Sequence, residues 1–141
     1  MNAVELLKQD HKQLKKMLKT AIEAEGGEER EHVLDHVRAE LVRHERIEEE
    51  IFYPRLRGNE EVKEIVLEGY EEHHVADVIL DELLDIPASS DLWKAKVKVL
   101  KENIEHHIKE EEDEMFPKAR KVLSREQLEH LGERMEALKR E

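Results

Sequence analysis

The chain has 141 residues, 24 Lys and Arg against 36 Asp and Glu, a formal net charge of −12 and no cysteine. This charge opposes binding to nucleic-acid phosphates or to an anionic membrane surface, and the lack of cysteine excludes disulfides and thiolate metal sites. No apolar run approaches the roughly 18 residues of a membrane span and the N-terminus lacks a signal-peptide pattern, so we expect a soluble cytoplasmic protein.

The first predicted helix covers about residues 2–25, with Asn2 as its N-cap and Gly26 and Gly27 at its end. Residues spaced three and four apart form one inward stripe along it: Val4, Leu7, His11, Leu14, Leu18 and Ile22. Such spacing is typical of an amphipathic helix. His11 is the only polar member of this stripe and is therefore a candidate functional residue.

The second predicted helix covers about residues 28–53, and Pro54 is expected to end or kink it. Its stripe is Val33, Val37, Leu41, His44, Glu48 and Ile51. A glutamate that faces a helical core is unfavourable unless it is paired or binds a cation. Glu48 is therefore a stronger sign of a site than His44.

The third predicted helix begins at about Asn59, a good N-cap, and ends near residue 84. Its stripe is Val62, Val66, Gly69, His73, Ala76, Leu80 and Leu83. His73 lies on the stripe and His74 lies beside it, and each has a partner four residues away, Asp77 for His73 and Tyr70 for His74. Both pairings satisfy the spacing of neighbours on a helix surface, so the sequence leaves this choice open.

The fourth predicted helix covers about residues 91–117 after a Ser90 cap. Its stripe is Trp93, Val97, Leu100, Ile104, His107, Glu111 and Met115. Ser124 and Gln127 form a capping box that opens a short fifth helix. Four long helices with short links predict an all-α, up-down-up-down four-helix bundle over residues 1–123, with a C-terminal helix over residues 124–141 packed on it.

One motif occurs twice, in residues 44–54 and 107–117. Each copy has a His, a Glu four residues later, and an aromatic residue before a Pro that lies ten residues after the His. Since residues four apart share one helix face, the two copies can close imidazoles and carboxylates around metal. The inward-facing set is His11, His44, Glu48, His73 or His74, His107 and Glu111. A dinuclear cation centre is the simplest compensation for two buried carboxylates, and nitrogen and oxygen ligands suit Fe, Mn or Zn.

This pattern resembles a hemerythrin-like (HHE cation-binding) domain. The family places one His on the first helix, His-x-x-x-Glu on the second, His on the third and His-x-x-x-Glu on the fourth. The resemblance implies two iron ions joined by an oxo or hydroxo bridge, with Glu48 and Glu111 bridging them. It implies His11 and His44 on one iron, and His107 with the third-helix ligand on the other. Glu45 matches an extra carboxylate that some members use.

The chain departs from the oxygen-carrying hemerythrins on the third helix, where they place two His four residues apart. Here Tyr70 or Asp77 stands in the place of one of them. One histidine fewer leaves another exchangeable position on the iron pair, which favours redox turnover over pure oxygen carriage. The resemblance therefore implies reaction with peroxide, O2 or nitric oxide in a catalase-like or protective role. The alternative is O2 or iron binding, sensing or storage without turnover.

Three other classes compete with this interpretation. Ferritin-like proteins need Glu-x-x-His on two helices, whereas the one copy here, Glu71 with His74, has no partner. A structural zinc site would fit the ligands without redox chemistry. A metal-free acidic bundle would leave Glu48 and Glu111 unexplained. For the di-iron interpretation we expect a monomer or weak homo-oligomer whose partners are the small molecules O2, hydrogen peroxide or nitric oxide.

Overall fold

The computed structural model describes residues 1–141 and contains helices but no strands. In chain order the helices are α1 (Ala3–Glu23), α2 (Gly27–Ile47), a π-helical segment π1 (Glu48–Phe52), α3 (Tyr53–Arg57), α4 (Lys63–Leu83), α5 (Asp91–Glu110), a second π-helical segment π2 (Glu111–Met115), α6 (Phe116–Val122) and α7 (Arg125–Lys139). The segments α2, π1 and α3 follow one another without a break, as do α5, π2 and α6. The molecule therefore has four long helical rods and a short fifth, which confirms the predicted bundle.

Side-chain caps begin three of the helices as predicted. The side chain of Asn2 accepts a hydrogen bond from the backbone N–H of Glu5, and the Ser90 hydroxyl accepts from Leu92 and Trp93. Ser124 and Gln127 form the complete capping box of α7. The predicted cap at Asn59 is wrong, because Asn59 accepts from Glu61 within a turn and α4 begins four residues later.

Both prolines of the repeated motif lie inside a continuous rod, so neither Pro54 nor Pro117 ends its helix. A proline ring clashes with the preceding turn of an α-helix. Here each proline follows a π-turn, in which the N–H of Tyr53 bonds to the carbonyl of Glu48 and that of Phe116 to Glu111. A π-turn is wider than an α-turn, so it accommodates the ring and lets the helix continue.

The core consists of two apolar clusters of 19 and 16 buried residues. One includes Leu7, Phe52 and Phe116, and the other includes Leu14, Leu41 and Trp93. Along each long rod the residues between these clusters are the polar members of the predicted stripes. A layer of histidines and glutamates therefore lies between two dry cores, where solvent cannot compensate its charge.

Helix α7 lies against α1 and completes the first apolar cluster with Leu128, Leu131 and Met135. Its closest approach is at Gly132, where a Cβ atom would stand 2.2 Å from the carbonyl oxygen of Met1. Only glycine allows the two backbones to come so close. No helix of the bundle combines the length and apolarity that a membrane crossing requires.

Candidate metal centre

Four imidazoles and two carboxylates converge in the polar layer between the two cores. All six are buried, with exposed fractions from 0% to 7%: His11, His44, Glu48, His73, His107 and Glu111. Their potential ligand atoms fall into two groups, one around His11 and His44 and one around His73 and His107. We call these groups the first and second metal positions.

The two glutamates connect the positions. The Oε1 atom of Glu48 lies 2.9 Å from Nε2 of His73 and 3.3 Å from Nε2 of His44. Glu111 has Oε1 2.9 Å from Nε2 of His11 and Oε2 3.5 Å from Nε2 of His107. Each carboxylate therefore reaches one imidazole of each position, as a bridging ligand must.

A second layer of carboxylates holds each imidazole from behind. The Nδ1–Oε or Nδ1–Oδ distances are 2.7 Å for His11 to Glu112, 3.0 Å for His44 to Asp10, 2.6 Å for His73 to Glu49, and 2.7 Å for His107 to Glu72. A carboxylate accepts from Nδ1–H, which leaves the Nε2 lone pair directed into the centre. Metal-binding histidines are commonly oriented in this way. We call Asp10, Glu49, Glu72 and Glu112 the outer carboxylates.

The two halves of the centre are related by an approximate two-fold repeat. The ring centroids of His11 and His44 are 5.1 Å apart at 62°, and those of His73 and His107 are 4.9 Å apart at 69°. In each half, the carboxylate that precedes one histidine in the sequence binds the other histidine. Asp10, which precedes His11, binds His44, and Glu72, which precedes His73, binds His107. Each copy of the repeated sequence motif therefore contributes a histidine and a glutamate to a nearly symmetrical site.

Tyr53 breaks that symmetry and was missed as a site residue. Its hydroxyl lies 2.6 Å from Oε2 of Glu111, 3.3 Å from Oε1 of Glu48 and 3.3 Å from Nε2 of His107. Phe116 occupies the equivalent place and stacks on His11 without a hydroxyl. Gly69 makes room for the phenol, since a Cβ atom there would lie 2.8 Å from the Tyr53 oxygen. The available signal was that one motif copy ends Phe-Tyr-Pro and the other Met-Phe-Pro.

Of the α4 alternatives, only His73 is brought to the centre. His74 is exposed, because one residue along a helix turns the side chain by about 100° away from the inward stripe. The ring of Tyr70 packs against that of Tyr53, with the ring centroids 5.1 Å apart, and the guanidinium group of Arg57 lies over it. Asp77 is exposed and lies near Glu45, outside the two groups of ligand atoms.

Glu45 lies beside the centre and has 6% of its surface exposed. Its Oε2 atom has no hydrogen-bond partner. In the metal-free protein, burial and then the neighbouring carboxyl group of Asp77 raise the pKa of Glu45 to about 9.

A small cavity adjoins Glu45, His44, His73 and His107, with about 10 Å³ available to the centre of a water molecule. That space suits about one water or a molecule of similar size. The rest of its wall is mostly apolar and comprises Leu14, Leu41, Ala76, Ile104 and Ile108, together with the polar Glu72 and Asn103.

The donor set fits a pair of cations. Nε2 of His44 and Oε2 of Glu48 are buried without a hydrogen-bond partner, and an unpaired buried polar atom is unfavourable by about 1–3 kcal/mol. Both residues belong to the first metal position. Imidazole nitrogens and carboxylate oxygens without thiolates suit Fe, Mn or Zn. His11, His44, His73, His107, Glu48 and Glu111 can therefore hold two such ions.

Without metal, protons compensate the buried carboxylates. Burial favours neutral imidazoles, but the nearby charge of Glu48 and the hydrogen bond to Asp10 outweigh it and raise the pKa of His44 to about 10. The pKa of His73 rises to about 9, because hydrogen bonds to Glu48 and Glu49 outweigh burial. Metal must displace these protons to bind.

The stability of the metal-free protein is expected to fall as pH rises from about 6.5 to 10. The folded-state pKa values of His44 and His73 lie above the unfolded value of about 6.5, so their contribution is complete below pH 6.5 and is lost through pH 9–10. Glu45 acts in the same direction over a range that begins lower. Urea unfolding in chelator across this range measures the effect. A free energy of unfolding that stays constant or rises would contradict it.

Comparison with known proteins gives the family. The family model for the hemerythrin HHE cation binding domain matches residues 2–119 of this chain. An uncharacterized protein of Mycobacterium tuberculosis is 34% identical over 139 residues, which cover 97% of this chain and 84% of that protein. The crystal structure of a hemerythrin HHE cation binding domain-containing protein from Mycobacterium kansasii superposes with a TM-score of 0.88 at 32% identity, over 99% of this chain and 86% of the other.

A DNA nickase of Nostoc is 25% identical over 142 residues. The match covers 99% of this chain but only 39% of the nickase. The family match, by contrast, spans nearly the whole chain and agrees with the structural likeness. The chain therefore belongs to the hemerythrin HHE cation-binding domain family.

Proposed function

We propose that this protein is a non-haem di-iron protein that reacts with hydrogen peroxide, O2 or nitric oxide in a protective, catalase-like role. The observation that carries the proposal is the convergence of four Nε2 atoms and two carboxylates in a buried layer, each imidazole held by an outer carboxylate. Such preorganised nitrogen and oxygen donors in a helical bundle are typical of dinuclear iron sites. A purely structural layer would not require this convergence.

In this proposal His11 and His44 bind the first iron, His73 and His107 bind the second, and Glu48 and Glu111 bind both. Iron that changes between the ferrous and ferric states would supply the electrons for reactions of peroxide or O2. His74 and Asp77 are not among the proposed ligands, because both are exposed on α4. Tyr70 is not among them either, because its ring packs between Tyr53 and Arg57. The Tyr53 hydroxyl donates to Glu111 and orients that carboxylate between the two positions.

The cavity supports a small uncharged substrate. Its size suits one molecule close to water in volume, and five of its eleven lining residues are apolar, which limits the entry of bulk water. Glu45 lies at the edge of this cavity, and its Oε2 atom is free to take part in a hydrogen bond. A carboxyl group beside the cavity favours peroxide chemistry, in which protons are transferred along with electrons.

The second candidate is O2 or iron binding, sensing or storage without turnover. The five apolar residues of the cavity wall favour it, because these side chains can hold a diatomic gas and take no part in proton transfer. Nicking of DNA is not proposed, since the chain matches only 39% of the nickase and its net charge of −12 opposes a phosphate backbone.

Metal content, absorption spectrum and oxygen evolution on adding hydrogen peroxide test the proposal. We expect about two irons per chain, charge-transfer absorption from the ferric form, and oxygen evolution by the iron protein. The matched control is the same chain loaded with zinc, which keeps the fold and charge but cannot change oxidation state. A reversible O2-dependent spectrum without turnover would support the second candidate. A chain that takes up no iron would overturn both.

A further inference from the structure

Lys139 connects the C-terminal helix to the first metal position. It is the last residue of α7, and its ammonium group pairs with the carboxylate of Asp10. The other oxygen of Asp10 accepts from Nδ1 of His44 at 3.0 Å. A continuous chain of contacts therefore runs from Lys139 through Asp10 to His44. The family match ends at residue 119, so α7 and Lys139 lie beyond it.

Packing, rather than a flexible tail, places this ammonium group. Leu131 and Met135 are buried in the same apolar cluster as Leu7 of α1. Gly132 brings the α7 backbone against the first residues of the chain. The Lys139 side chain is 34% exposed, and Asp10 is 7% exposed. The pair is thus only partly screened by solvent, and its charge acts on a buried partner.

The second metal position has no counterpart to this contact. Among the four outer carboxylates only Asp10 pairs with a lysine or arginine side chain. The equivalent carboxylate, Glu72, lies 3.7 Å from Nε2 of the exposed His106 instead, and the same nitrogen is 2.8 Å from Glu110. Each position therefore has two imidazoles, but the positions differ in the charge behind those imidazoles as well as in the Tyr53 hydroxyl near His107.

We propose that Lys139 is a positioning residue that makes the two metal positions inequivalent by weakening the binding of metal at His11 and His44. A carboxylate that accepts from Nδ1–H raises the basicity of the imidazole as a ligand. An ammonium group on the same carboxylate draws charge away from it and lowers that effect. Its positive charge also opposes a nearby cation. The inference rests on the proposed dinuclear site and predicts that the first position is the weaker one.

Stepwise titration with cobalt(II), followed by its visible absorption and by chelator competition, gives the two dissociation constants. Lys139→Met removes the charge and keeps the chain length, whereas Lys139→Arg keeps the charge. In Lys139→Met we expect the larger dissociation constant to fall by about three- to tenfold. This is less than the 10–100-fold change in affinity that mutation of an outer residue bonded directly to a ligand causes. The smaller dissociation constant should stay within about twofold of its wild-type value, and Lys139→Arg should have the same two constants as the wild type.

Thermal unfolding of the same proteins distinguishes an effect of the Lys139 charge on metal binding from a loss of packing. A merely structural role of Lys139 would lower the unfolding temperature without changing one constant selectively. The inference is overturned if both constants of Lys139→Met stay unchanged or move together, or if Lys139→Arg reproduces the methionine variant. A wild type that binds two ions while the variants show no selective change overturns this inference alone. A wild type that binds no ion pair overturns the proposed function as well.

Discussion

Replacing Glu111 by alanine is expected to abolish binding of the metal pair. Its carboxylate is fully buried and lies 2.9 Å from Nε2 of His11 in the first position and 3.5 Å from Nε2 of His107 in the second. The same group accepts the hydrogen bond of Tyr53 at 2.6 Å. Alanine removes one of the two carboxylates that reach both positions and leaves only Glu48 between them.

Metal analysis after reconstitution with iron and washing with a mild chelator measures this effect. We expect the content to fall from about two ions per chain to less than about half an ion. Glu114→Ala is the matched control, because it removes the same group from an exposed place in the same π-segment. Circular dichroism should show that both variants remain helical. A Glu111→Ala protein that retains two ions would show that Glu111 is not a ligand.

Removing the metal is expected to lower the unfolding temperature by more than about 10 °C. Six buried polar groups from the four long helical rods meet at the centre, and two of their atoms have no other partner. Each ion present at a thousandfold excess over its dissociation constant stabilises the folded state by about 4 kcal/mol. In a protein of this size 1 kcal/mol corresponds to about 2–4 °C. Two ions therefore give a large shift.

Calorimetry or thermal circular dichroism of the chelated and reloaded protein tests this prediction. Iron, manganese or zinc should restore the unfolding temperature. Magnesium should not restore it, since that ion prefers oxygen ligands and retains its waters. Glu111→Ala should show no shift on adding iron. Equal unfolding temperatures with and without chelator would mean that the centre does not depend on metal for its stability.

The positions of the helices were predictable from the sequence, because a helix that buries one face has apolar residues three and four positions apart. A polar residue on an otherwise apolar stripe is conspicuous, and His11, His44, Glu48, His107 and Glu111 stand out in this way. Each is buried in the structure. The caps at Asn2 and Ser90 were predictable for a local reason, since they depend on backbone groups only two or three residues away.

Where two candidate ligands are adjacent in sequence, the apolar pattern alone did not determine which of them the helix turns toward the centre. His73 and His74 differ by one step of the helix, and only the packing of α4 against its neighbours buries the first and exposes the second. The π-turns at Glu48 and Glu111 were missed for a related reason. They change the hydrogen-bond register within a rod without changing which residues are apolar.

The sequence by itself determined a four-helix bundle with a repeated His and Glu motif, because both depend on local spacing. Only the tertiary structure decided what surrounds that motif. Tyr53 reaches Glu111 across 58 residues of sequence, and the outer carboxylates support imidazoles on other rods. Lys139 meets Asp10 across 129 residues. No local period encodes such contacts, since they exist only once packing brings distant segments of the chain together.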